Sequence, residues 1–265
     1  MKKHGFLSPN LPALTASIRK NGACQFAVAE AFNELGMSVL RDLVINPTCQ
    51  QEVLSASMFG RVLTSFQSAI ILCERGLLSN ARTLILAAAE TAIILNAVAK
   101  DPSVCKALTP GMMHNERALA LSWLSEPQVH AVLSKDDIET LKNRIEEIDK
   151  EYSTAKNLQD APIQLDALAN ACESPTLANI VRRISAGNAA HASLEAIVHQ
   201  TKSDCAVAAI QGFKFGPEEK HLLPTVSDAF SVMSHALTSI YRCFPAAKDQ
   251  DDFEKCVAAW QSLSI

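Results

Sequence analysis

The chain reads as an all-α protein, an antiparallel up-and-down helical bundle with additional shorter helices. Three observations predict this. Its hydrophobic residues, 48% of the total, recur at three- and four-residue intervals over long stretches instead of alternating. Only 9 glycines and 5% aromatic residues are spread over 265 positions, which leaves few turns and little strand-type composition. One stretch, Leu84 to Val98, is apolar all round a helix, interrupted only by Glu90, Thr91 and Asn96. A helix without a polar face is one that neighbours surround.

Taken in order, a helix is expected over about 23–45, with Val28, Phe32, Leu35 and Val39 forming its buried stripe and Pro47 stopping it. Thr48 is read as the cap of a second helix, about 49–75, striped by Phe59, Leu63, Phe66, Ile70 and Cys73. Gly76 is placed to end it, and the short connection to Ser79 predicts an antiparallel hairpin with the surrounded helix, about 79–100. Ser79 is read as the N-cap of that central helix and Asp101-Pro102 as its end.

Pro110, Gly111 and Pro127 bracket a shorter helix, about 114–125. Ser134 and Asp137 fit a capping box for an amphipathic helix whose apolar stripe is Ile138, Leu141, Ile145, Ile148 and Tyr152. Two short helices are expected near 165–172 and 176–185, and Asn188 is a fitting N-cap for another, about 189–200. Residues 201–221 are the least helical, compatible with a hairpin or an ordered loop. Val226, Phe230, Met233, Leu237 and Ile240 stripe a last long helix, about 225–244, and a terminal helix follows at about 250–263. Nothing repeats at a fixed period and no long linker intervenes. The expectation is one domain, 1–265, with a core bundle of about 23–100 and 134–244.

A net charge of −4 provides no global basic field for nucleic acid. Eight cysteines lie scattered without a C-x-x-C pair, the habit of a reducing compartment, so a cytoplasmic protein is expected. The N-terminus has no apolar run of signal-peptide length. The central apolar run, with Glu90 in its middle, is read as too short to cross a bilayer, and no membrane partner is expected. A mean hydropathy of +0.10 together with regular stripes predicts a homodimer.

No phosphate-cradling glycine loop, H-E-x-x-H or G-x-S-x-G motif occurs, so no motif identifies a reaction or a cofactor. The Glu-x-x-His spacing of Glu218 and His221 lies in a loop and not on a bundle helix. His191, Glu195 and His199 are spaced i, i+4, i+8 along one helix side, but ligands two turns apart do not easily reach one ion. No metal site is assigned. Candidate catalytic residues are Arg82, His191, Arg182 and Arg183, because a guanidinium forks a phosphate and an imidazole moves protons near neutral pH. Candidate ligand-binding residues are Arg82, Glu90, Asn188, Glu195 and His199. Glu90, in an apolar helix, calls for a partner, with Arg82 or Arg61 expected; His235 is read as solvent-exposed.

The segments Glu74–Pro102 and Ile184–Ser193 resemble a bacterial family of all-helical proteins of unknown function. Its members carry an Arg-[Ser/Thr]-x-x-Glu helix start and a later Leu-Ser-x-x-x-His-x-Ser segment. Arg82-Thr83 fits the first, with Leu86 in place of the acid; Ile184-Ser185 and His191-Ala192-Ser193 fit the second with a longer gap. That family is distantly similar to HEPN helical bundles, many of them toxin or defence ribonucleases with an Arg-x(4–6)-His motif. Arg183 and His191 have seven residues between them instead. The resemblance implies RNA processing or a defence role. A small anionic ligand binder and a non-catalytic interaction protein stay open beside it.

Overall fold

The computed structural model of the chain describes residues 5–154, 165–187, 201–202, 212–213, 217–247 and 250–263. They fall into two compact units, Met1–Lys100 with Leu165–Ile265, and Asp101–Gln164. The first unit carries α1 (Leu11–Asn21), α2 (Ala23–Asp42), α3 (Gln50–Glu74), α4 (Leu78–Lys100), α8 (Leu165–Ala171), α9 (Pro175–Gly187), α10 (Leu222–Cys243) and α11 (Gln250–Ser262). The second carries α5 (Ser103–Ser125), α6 (Pro127–His130) and α7 (Lys135–Thr154), so the 134–154 part of the expected core stretch belongs to this unit.

The protein is all-α, and α4 is its centre. It packs on α3, α10, α9 and α8, and its residues from Ile85 to Ala99 are almost continuously buried. Burial on all sides is what an apolar helix without a polar face requires. The α3–α4 hairpin closes as expected: Gly76 takes φ 71°, its N–H donates to Cys73 O at 3.0 Å, and Leu77 N–H to Leu72 O at 2.9 Å. Around this hairpin Phe32 of α2 stacks on Phe230 of α10 at 5.3 Å, and Phe66 and Trp260 close on the same ring at 6.3 and 6.2 Å. Offset and edge contacts of this kind suit the ring quadrupoles.

Several expected boundaries move. Neither Thr48 nor Ser79 caps a helix: α3 starts after Cys49, where Thr48 hydroxyl donates to Asn46 Oδ1 at 2.8 Å, and Ser79 lies inside α4, exposed. The helix bracketed from 114 onward instead starts at Ser103 and passes through Pro110. The proline removes one N–H from the ladder but does not end the helix. α10 begins three residues before the expected start, carrying Pro224 in its first turn, where a missing N–H costs nothing.

In the second unit the Ser134 capping box is present: Asp137 N–H donates to Ser134 Oγ at 3.1 Å while Ser134 N–H and hydroxyl donate to Asp137 Oδ2 at 3.0 and 2.6 Å. The charged face of α7 is not merely solvated. Arg144 forks Glu116 of α5 at 2.8 and 3.0 Å, and Arg117 of α5 reaches Asp149 at 2.6 Å.

A two-residue antiparallel ribbon pairs Thr201 with Phe213 and Lys202 with Gly212, the hairpin alternative in the least helical stretch. Among the described residues two helices, α3 and α4, are long and apolar enough to cross a membrane by length and composition. The expectation of too short an apolar run is corrected to that extent. In α4, 67% of the most apolar window is buried within the protein.

Candidate functional site

Two of the candidate residues, Arg82 and Arg183, meet at one corner of the first unit, where α4 begins, α9 ends and α10 begins. Arg82 lies one turn into α4, half-buried. Its Nε donates to Thr225 Oγ1 of α10 at 3.2 Å. Thr225 has already committed its own proton, donating to His221 O at 2.8 Å, so its lone pair is free to accept. A relay of two hydrogen bonds therefore fixes the stem of Arg82. Among the described residues, the terminal nitrogens of Arg82 have no hydrogen-bond partner and no carboxylate pairs with it.

Arg183, in the last turn of α9, reaches the same helix: one terminal nitrogen lies 2.5 Å from Asp228 Oδ1. Thr225 and Asp228 are three apart on α10, hence neighbours on one face, with about 5–6 Å between Cβ atoms. The corner thus brings two guanidiniums from separate helices to adjacent positions on a third. Only one carboxylate is paired with them among the described residues. Beneath Arg82, the Cys73 thiol is pushed up to about 12 by burial, against the opposing pull of the Arg82 charge, so it stays a neutral core thiol.

The other candidates separate from this corner. Arg182 faces outward and donates to Asn179 Oδ1 at 3.2 Å within its own helix. Glu90 is half-buried, and neither expected partner meets it: Arg82 is engaged with Thr225 and Arg61 is exposed, and among the described residues Glu90 makes no ion pair. Asn188, His191, Glu195 and His199 lie outside the described residues. Glu218 and His221 form one solvent-facing pair at 3.4 Å. No group of three metal-ligating side chains occurs among the described residues.

His235 is a further correction. It is half-buried in α10, and burial holds its imidazole below the ordinary value, since the charged form loses hydration. A separate groove of about 390 Å³ between α2 and α11 is lined by Glu34, Ser38, Asp252, Lys255 and Cys256. Its lysine is held by Asp252 at 2.6 Å, leaving no unpaired cation there to draw an anion.

Sequence reasoning missed Thr225 and Asp228. The signal the sequence offered was their three-residue spacing on one helix face; both prove buried. It also missed a second polar node: Asn96 of α4 donates to Ser174 Oγ and to Cys172 O, and Lys100 donates to the same carbonyl at 2.5 Å.

Residues 52–204 match DUF5677, a family of unknown function. The match runs from α3 through α9 to the first strand of the ribbon and contains Arg82 and Arg183, whereas Thr225 and Asp228 lie beyond it. No curated protein and no solved structure matches the chain. The matched stretch covers more than half of the sequence, and the protein belongs to DUF5677, a family of unknown function.

Proposed function

We propose that the protein is a HEPN-like RNA-processing or defence-related protein that takes an RNA phosphate at the Arg82–Arg183 corner. One observation carries this reading: the stem of Arg82 is fixed by Thr225 while its terminal nitrogens are left without a protein partner among the described residues. A guanidinium held in place with its donors unspent is preorganised for an anion, and a second one stands one turn away. His191 follows the last residue of α9 by four positions and is the proton-transferring group of this reading.

The chemistry is intramolecular. The ribose 2′-oxygen attacks phosphorus, its proton passes to a base, and the 5′-oxygen of the next nucleotide leaves with a proton. The products are a 2′,3′-cyclic phosphate and a 5′-hydroxyl. The guanidiniums would stabilise the extra charge on the phosphorus oxygens, a contribution of about 3–4 kcal/mol per well-placed donor. The protein would act as a cytoplasmic homodimer. Free cysteines throughout the described residues and exposed Met37, Val44 and Ile45 support that part of the reading.

Incubating single-stranded RNA with the wild type and with Arg82→Ala, Arg183→Ala and His191→Ala tests it. Cyclic-phosphate ends in the wild-type reaction, lost in folded Arg82→Ala and His191→Ala, support the reading. Folded wild type that leaves RNA intact and does not bind it overturns the reading. The alternative, a non-catalytic interaction protein, is favoured by the pairing of Arg183 with Asp228, which spends one cation internally. RNA bound but not cut would leave the corner a ligand site and remove the nuclease. Light scattering that gives a monomer mass removes the dimer.

A further inference from the structure

We infer that Asp228 is a built-in competitor for the anion, holding Arg183 until an RNA phosphate displaces it. The inference rests on the reading above and names the regulation of the same corner. The two members of the pair are unequal. The Asp228 side chain is 12% exposed and seated on α10, whereas that of Arg183 is 58% exposed at the end of α9. The carboxylate is the immobile partner and the guanidinium the one free to swing.

One Asp228 oxygen takes one terminal nitrogen of Arg183, a donor that a substrate phosphate oxygen would take in its place. Among the described residues, no carboxylate occupies Arg82 in this way. That arginine is tied through Nε to a neutral hydroxyl one turn earlier on α10 and offers the first landing point for an anion. An arriving phosphate therefore meets one available guanidinium, and it recruits the second only by breaking the 2.5 Å pair. The carboxylate left behind repels it, so the closed pair weakens binding of any anion too small to reach both arginines. A polyanion that spans one helical turn repays the opening. The competitor thus selects for a chain of phosphates over a lone one.

The test compares binding of a fluorescent single-stranded RNA by the wild type, Asp228→Asn, Arg183→Ala and the double variant at one salt concentration. Asp228→Asn keeps shape and hydrogen bonding while removing the charge. It is expected to bind about three- to tenfold tighter, the range for a single charge a few ångströms away in a partly solvated site. The gain is smaller in the Arg183→Ala background, where only the repulsion is removed and no guanidinium is released. Equal affinity of wild type and Asp228→Asn overturns the competitor role, as does a gain of the same size without Arg183. In either case RNA binding by the wild type leaves the site itself standing. RNA binding by none of the proteins removes the site and the competitor together. Should Asp228→Asn not fold, the carboxylate carbon resonance of Asp228 in the labelled wild type decides: it moves when RNA opens the pair, and a resonance that stays put overturns the inference.

Discussion

Arg242 of α10 donates to Asn96 Oδ1 of α4 at 3.0 Å, while the amide nitrogen of Asn96 serves Ser174 and the Cys172 carbonyl at the turn between α8 and α9. One buried side chain satisfies groups from three parts of the first unit. The single asparagine in an apolar stretch is therefore a junction and not a flaw. Replacing Asn96 by Leu takes the donor from the buried Ser174 hydroxyl and the acceptor from Arg242, and leaves the Cys172 carbonyl to Lys100 and Ser174. The expected loss is about 2–4 kcal/mol, read as a lowered midpoint in urea unfolding. A change below about 0.5 kcal/mol would show that water takes over these bonds.

Gly76 carries two constraints at once. Its φ of 71° is costly for any residue with a Cβ, and a Cβ there would stand 2.4 Å from Pro217 Cβ and 2.8 Å from Pro217 Cα. Backbone cannot retreat as a flexible side chain can. Gly76→Ala is expected to cost at least about 2 kcal/mol, seen as a lower Tm with unchanged helix content before the transition.

His235 gives the first unit a dependence on pH in the mildly acidic range. Burial lowers its folded-state value, so the unfolded chain binds the extra proton first. Stability is therefore undiminished above about pH 6.5, the unfolded value, and declines as pH falls below it until the folded form also protonates. Melting curves from pH 7.5 to 5 should show this decline. In His235→Gln it should be smaller, and an identical pH profile would remove His235 from the account.

The second unit should respond to stronger acid. Hydrogen bonds from Ser103, Arg144, Ser134 and Arg117 hold Asp101, Glu116, Asp137 and Asp149 below the ordinary carboxylate range. Groups lowered on folding contribute stability above their unfolded values, and it is lost as pH falls through the folded ones. Faster amide exchange in α5 and α7 is expected as pH drops below about 4, once corrected for intrinsic exchange. The groups are exposed, so added salt should weaken the same pairing near neutral pH.

How far the sequence carried the fold depends on whether the cause was local. Helical periodicity, the left-handed stop at Gly76 and the reciprocal bonds of Ser134 and Asp137 are decided within a few residues, and each stands where expected. Pro110 misled because its penalty is one lost bond in a 23-residue helix, a cost that packing covers. Thr48 and Ser79 misled because a cap-type residue marks a helix start only where the backbone puts it there: α3 starts after Cys49, which makes no side-chain cap bond, and α4 already runs from Leu78.

The corner was half legible. Arg82 stood out as a cation near the start of an apolar helix and Arg183 as a guanidinium close to a histidine in sequence, but their partners are 143 and 45 positions away. Which face of α10 turns toward α4 and α9 is settled by ridge-and-groove packing over the whole bundle, which no local pattern encodes. Glu90 was misjudged for the same reason: a helix apolar by composition still presents one edge where cover is incomplete.

The family stretch ends before α10, yet α10 covers one flank of α4 and supplies the acceptors for both corner arginines. The stretch is thus a recognisable unit of descent without being a self-sufficient unit of folding. Cut out alone, it would bare the side of α4 that α10 covers and set loose Arg82 and Arg183. Relatives that share only this stretch would need some other helix, from their own chain or a neighbour's, to close the same wall. What that substitute helix carries at the two positions corresponding to Thr225 and Asp228 would then decide whether their arginines are anchored, occupied or bare.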